Sequence, residues 1–134
     1  MRAVPEAFVL LNITQTSIIV DGMSSTKTGY LLIESRDPLA WHDAWYFYDL
    51  AAALARAENK VTLFLVQNGV LAARDGSHVA SFEGLVRAGV EVLADSFSLR
   101  ERGLPESRLA EGVTAASLDA VVEHLAAGRK TLWH

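Results

Sequence analysis

Residues 90–103 read VEVLADSFSLRERG. Val90–Ala94 is short and mostly apolar, the pattern of a strand buried in a sheet. Asp95 follows at once, and an aspartate there suits a helix N-cap because its carboxylate accepts backbone N–H bonds. Ser96–Arg102 has the length of a short helix, and Gly103 is the residue type that closes one. A buried strand running straight into a capped helix is the joint of a strand–helix–strand unit.

The same grammar extends in both directions from this joint. Lys60–Val66 (KVTLFLV) is a second strand, ending in Gln67-Asn68-Gly69-Val70. Gly29–Ser35 (GYLLIES) is a near-continuous apolar run, expected to be covered on both faces. Asp37-Pro38 then predicts an N-cap and a first helical turn. The helix is expected to reach about Ala57, with Trp41, Ala44, Trp45, Tyr48, Ala51, Ala52 and Ala55 on one apolar face and Asn59 as the stop. His78–Ala88 reads as a helix closed by Gly89. Ser117–Ala127 is amphipathic through Leu118, Val121, Val122 and Leu125, with Gly128 as its stop, and Lys130–Trp133 is a final strand. Strands alternating with helices define an α/β protein with a mostly parallel sheet and helices on both faces.

The leader differs. Phe8–Ile13 and Ser17–Val20 are β-branched and leucine-rich, separated by Thr14-Gln15-Thr16 and followed by Asp21-Gly22 and Ser24-Ser25 turn signals. Exposed FVLL and IIV would invite aggregation. A short hairpin that extends a sheet edge or pairs with a neighbouring subunit is therefore expected. The chain divides into an N-terminal extension, residues 1–26, and an α/β domain, residues 27–134.

Composition narrows the function. With 134 residues the chain suits one domain with a real core. A net charge of −4 and the absence of any basic run argue against nucleic-acid binding. Ala7–Val20 is too interrupted by polar residues to span a membrane. It also lacks a convincing cleavage site, so a cytoplasmic location is expected. The chain has no cysteine, which removes disulfides, thiolate metal sites and persulfide chemistry in this subunit.

Ligands of such sheets bind at the carboxyl ends of the strands, near a topological switch point. Three loops meet this condition: Ser35-Arg36-Asp37, Gln67-Asn68-Gly69-Val70 and Asp95-Ser96-Phe97-Ser98. Asp95 with Ser96 reads first as a helix cap, and alternatively as a carboxylate in a ligand pocket acting as a base or holding a cation. Asn68-Gly69 reads as a turn, or as amides presented to a ligand. Arg100 and Arg102 are solvated charges, a subunit contact, or an anion site. His42 is an ordinary surface residue, or a group titrating beside the crevice. Tyr46 and Phe47 fall off the core face of the first helix, which suggests a subunit interface. His42, His78, His124 and His134 are scattered, without a metal-binding pair. No nucleophile elbow, P-loop or dinucleotide fingerprint occurs, so no cofactor is expected.

Three segments together resemble the DsrE/DsrF-like family, which includes sulfur-relay subunits. They are AWYFYDLAAALARAENK feeding VTLFLVQNGV (44–70), VEVLADSFSLRERGL (90–104) and LAEGVTAASLDAVVEHLAAGRKTLWH (109–134). The resemblance covers residues 28–134 and omits the leader. It implies a flavodoxin-like three-layer sandwich with a mostly parallel five-stranded sheet, assembled into trimers or hexamers. It also implies that a sulfur-carrying cysteine of the active subunits falls on Asp95, or on Ala94 if the alignment slips by one. Neither residue can hold a persulfide. The expected role is a non-catalytic, homo-oligomeric binding or scaffolding subunit, with a sulfur-relay protein as a candidate partner. The alternative is a small-ligand binder or enzyme with a crevice rebuilt around Asp95, Asn68 and His42.

Overall fold

A computed structural model describes residues 28–77 and 82–134. The strands are β1 (Gly29–Glu34), β2 (Lys60–Leu65), β3 (Val90–Asp95), β4 (Val113–Ala116) and β5 (Lys130–Trp133). They form one sheet of order β4-β3-β2-β1-β5. Every pairing is parallel, with Leu32 opposite Leu63 and Leu132, and Leu63 opposite Val92. The helices are α1 (Asp43–Arg56), α2 (Phe82–Ala88), α3 (Ser96–Glu101) and α4 (Asp119–Ala126). The three-layer, parallel five-stranded arrangement expected from the sequence is therefore the one observed. The expected N-terminal hairpin lies outside the described residues, as do residues 78–81.

Alternation along the strands sorts side chains into two cores. Leu32, Leu63, Leu65, Val92 and Ala94 pack with Tyr48, Ala51, Ala52 and Ala55 of α1, Phe82 and Leu85 of α2, and Leu99 of α3. The alanines let α1 lie close to the sheet. On the opposite face Leu31, Ile33, Phe64 and Leu93 form a smaller cluster, met by Ala120 and Val121 of α4. That helix is one residue longer than two turns and has a whole sheet face to cover. Its Val122 and Leu125, and the N-cap Leu118, stay more than half exposed, and so does Trp133. Trp133 sits in register with Ile33, so it points to the α4 side as well. The apolar pattern at 118–125 marks a helix correctly, but most of that stripe faces away from the core.

One helix start and two further elements differ most from expectation. The first helix begins at Asp43, with His42 as its N-cap, not at Pro38. Asp37 instead closes its own turn: its carboxylate accepts the Leu39 N–H at 3.1 Å, and its carbonyl accepts the amides of Ala40 and Trp41. Trp41 therefore precedes the helix and is 53% exposed rather than in the core. Gln67-Asn68-Gly69-Val70, read as a loop, opens a 3-10 helix that spans Gln67–Ala73. The short strand β4 falls inside a stretch to which the residue pattern assigned no element.

Candidate functional site

The helices after β1, β2 and β3 pack on one face of the sheet, while α4, after β4, packs on the other. The chain thus changes sides between β3 and β4, where Asp95 pairs with Ala116. This is the switch point at which open α/β sheets form their crevice. Asp95 stands at its β3 wall.

Asp95 is 2% exposed and caps α3. Its Oδ2 accepts the Ser98 N–H at 2.9 Å and the Ser98 hydroxyl at 2.7 Å. Ser98 Oγ in turn accepts the Gln67 N–H at 2.8 Å. Gln67 has a φ of 55°, a left-handed conformation that a non-glycine residue holds only when its surroundings impose it. A relay from Asp95 through Ser98 to Gln67 thereby fixes the end of β2 against the start of α3. Asp95 Oδ1 is buried and has no hydrogen-bond partner among the described residues.

The neighbouring predicted residues are arranged unevenly. Asn68 is exposed, and its Oδ1 accepts Arg102 Nε at 3.0 Å; Arg102 also donates to the Ser98 carbonyl at 3.3 Å. Arg102, rather than Arg100, is the arginine tied to this joint. Arg100 is exposed, with its guanidinium 5.9 Å from the Phe97 ring centre. Ser96 is half-buried at the first position of α3. Gly69 is buried where a Cβ would collide with the Glu34 carbonyl. His42 is exposed and makes no side-chain cap bond. Asp95, Ser96, Asn68 and Gly69 therefore surround one joint, while His42 belongs to the β1–α1 connection.

That connection holds a cluster the residue pattern did not disclose. Glu34, fully buried at the end of β1, accepts the Arg36 N–H at 2.9 Å. His134 Nδ1 lies 2.9 Å from Glu34 Oε1 and 3.1 Å from Oε2, and His134 Nε2 lies 3.2 Å from Asp43 Oδ2. Asp43 also pairs with Arg36, whose guanidinium stacks over Trp41. Phe47 packs against the His134 ring at 5.4 Å between centres, so it faces this cluster. The hydrogen bond and charge of Glu34, with help from Asp43, raise the His134 pKa above 6.5.

Among the described residues no group of three or more His, Cys, Asp or Glu is arranged to hold a metal. No described helix is long and apolar enough to cross a membrane.

The chain belongs to the DsrE/DsrF-like family, whose model matches residues 28–133. No curated protein matches it. Among solved structures it is similar to the ychN protein from E. coli, with a TM-score of 0.72 and 20% identity over 81% of this chain and 100% of that one. It is also similar to MTH1491 from Methanobacterium thermoautotrophicum, a protein of unknown function (TM-score 0.65, 20% identity, 81% and 99% covered). BT1422 from Bacteroides thetaiotaomicron, a conserved protein of unknown function, matches at TM-score 0.65 and 17% identity, with 85% and 100% covered. At these identities the shared property is the fold.

Proposed function

We propose that this chain is a non-catalytic, homo-oligomeric subunit of the DsrE/DsrF-like type, a cytoplasmic binding or scaffolding component that carries no persulfide itself. The observation that carries this reading is the state of Asp95. The resemblance places a sulfur-carrying cysteine at this position. A carboxylate stands there instead, buried and engaged by Ser98 as a helix cap. A carboxylate has no sulfur to form or pass on an S–S bond, and the chain supplies no other thiol.

Assembly is supported by the surface. Leu118 before α4, Val122 and Leu125 within it, and Trp133 of β5 are exposed on one side of the sheet. Apolar groups concentrated in this way on a small protein mark a contact surface. A trimer or hexamer would cover them, and a cysteine-bearing sulfur-relay protein is the candidate outside partner. Size-exclusion chromatography with light scattering tests the reading. A multiple of 14.6 kDa is expected, and a monomer at all accessible concentrations would overturn it.

One observation favours a second reading, a ligand site in the crevice. Asp95 Oδ1 is buried without a partner among the described residues, which costs free energy unless a donor arrives. Native mass spectrometry of the purified protein tests it. A bound small molecule that is lost in Asp95→Asn supports this reading, and an unliganded mass in both proteins removes it.

A further inference from the structure

The backbone around His134 is pinned to β1: its N–H donates to the Ile33 carbonyl, and its carbonyl accepts both the N–H and the hydroxyl of Ser35, all at 2.9 Å. The side chain adds a second attachment. One ring nitrogen faces Glu34 on β1 and the other faces Asp43 on α1. Carboxylates only accept hydrogen bonds when ionised, so both nitrogens must donate, and only the imidazolium has two N–H groups. Both nitrogens being occupied, His134 is no free general base. The two carboxylates meet opposite nitrogens of the ring, so the three side chains do not converge on one point as metal ligands would.

We propose that His134 is a pH-operated latch that, as the imidazolium, holds strand β5 and its exposed Trp133 against β1 and α1. The charged groups that face it are Glu34 from β1 and Asp43 from α1. Arg36, from the connection between them, shares Asp43 at 3.4 Å. Tyr48 of α1 and Asp37 also belong to this electrostatic neighbourhood, since the charges of Glu34 and Asp37 both act on the Tyr48 hydroxyl. Loss of the His134 proton leaves one N–H for two carboxylates. Among the described residues the short strand β5 lies at the edge of the sheet and pairs only with β1.

The direction follows from the raised pKa. The folded state holds the His134 proton more tightly than the unfolded chain does, so the latch is fully closed below pH 6.5 and weakens as pH rises through the folded-state pKa. Each unit by which that pKa exceeds the unfolded one corresponds to about a tenfold change in the β5 opening equilibrium.

Hydrogen exchange read by mass spectrometry on the full chain tests the latch. Peptides covering Lys130–His134 are compared at about pH 6 and about pH 9, corrected for intrinsic exchange. Protection of β5 is expected to fall at the higher pH, by the factor that the rise in the His134 pKa sets. In His134→Gln it should already be low and lose its pH dependence. Equal wild-type protection at both pH values overturns the proposal, as does a His134→Gln variant with the wild-type pH response. Should that variant not fold, an NMR titration of wild-type His134 decides. A midpoint above 6.5, tracked by β1 and β5 amides, supports the latch; a midpoint at or below 6.5 overturns it.

Discussion

The Ser98 hydroxyl donates to Asp95 Oδ2 at 2.7 Å, joining the first turn of α3 to the residue that caps it. Because Ser98 Oγ also accepts the Gln67 N–H, a single side chain couples the cap to the left-handed residue that follows β2.

Removing the Asp95 carboxylate should therefore cost more than an exposed cap would. Asp95→Ala loses both bonds to Ser98 and is expected to destabilise by about 2 kcal/mol, at the upper end for caps. Asp95→Asn keeps an acceptor for Ser98 and should retain assembly with a smaller loss. Urea denaturation curves and light scattering on both variants check this.

Gly69 is a position of close approach. A methyl group there meets the carbonyl of Glu34, which is already held by the Val66 N–H at 3.0 Å and cannot retreat without breaking that bond. Gly69→Ala is expected to lower stability by about 2–3 kcal/mol, the cost of overpacking a rigid site. A drop in thermal midpoint, compared with Gly84→Ala where nothing lies within 4 Å of the added carbon, isolates the collision from a general glycine effect.

Tyr48 carries a buried hydroxyl without a hydrogen-bond partner among the described residues. Burial, and then the negative charges of Glu34 and Asp37, push its ionisation far above the usual tyrosine range. Tyr48→Phe deletes the unsatisfied group and keeps the ring contacts with Trp45 and Phe82. A gain of about 1 kcal/mol in unfolding free energy is expected. A loss of similar size would reveal a partner for the hydroxyl.

Val122 is 61% exposed on α4. Val122→Glu places a charge in the proposed contact surface without entering either core. It should shift the light-scattering mass toward the monomer while helix content, read by circular dichroism, stays unchanged. An unaltered assembly would place the interface elsewhere.

Much of the fold could be read from residue order because each signal was local. Val90–Ala94 and Lys60–Val66 are apolar runs of strand length, and Gly89 and Gly103 close their helices at φ of 100° and 66°. The Asp95 cap was legible for the same reason, since an N-cap is a relation between near neighbours. The start of α1 was misplaced because Asp37-Pro38 suits an isolated turn as well as a helix. Strand β4 was missed because VTAA is four residues long and only half-buried, with little alternation to detect. The Glu34–His134 pair lay beyond sequence reasoning altogether. It exists only because β5 inserts beside β1 rather than beside β4, and strand order is not written in the local pattern.

That pairing also governs how the chain folds. Ser35 and His134 are 99 positions apart, yet they bond directly. Strands β1, β2 and β3 can associate through successive crossovers of modest length, but β1 keeps a bare edge until β5 closes a loop of nearly the whole domain. Closure over such a distance is entropically slow. Among the strand amides, those of β5 should therefore be the last to resist exchange during refolding.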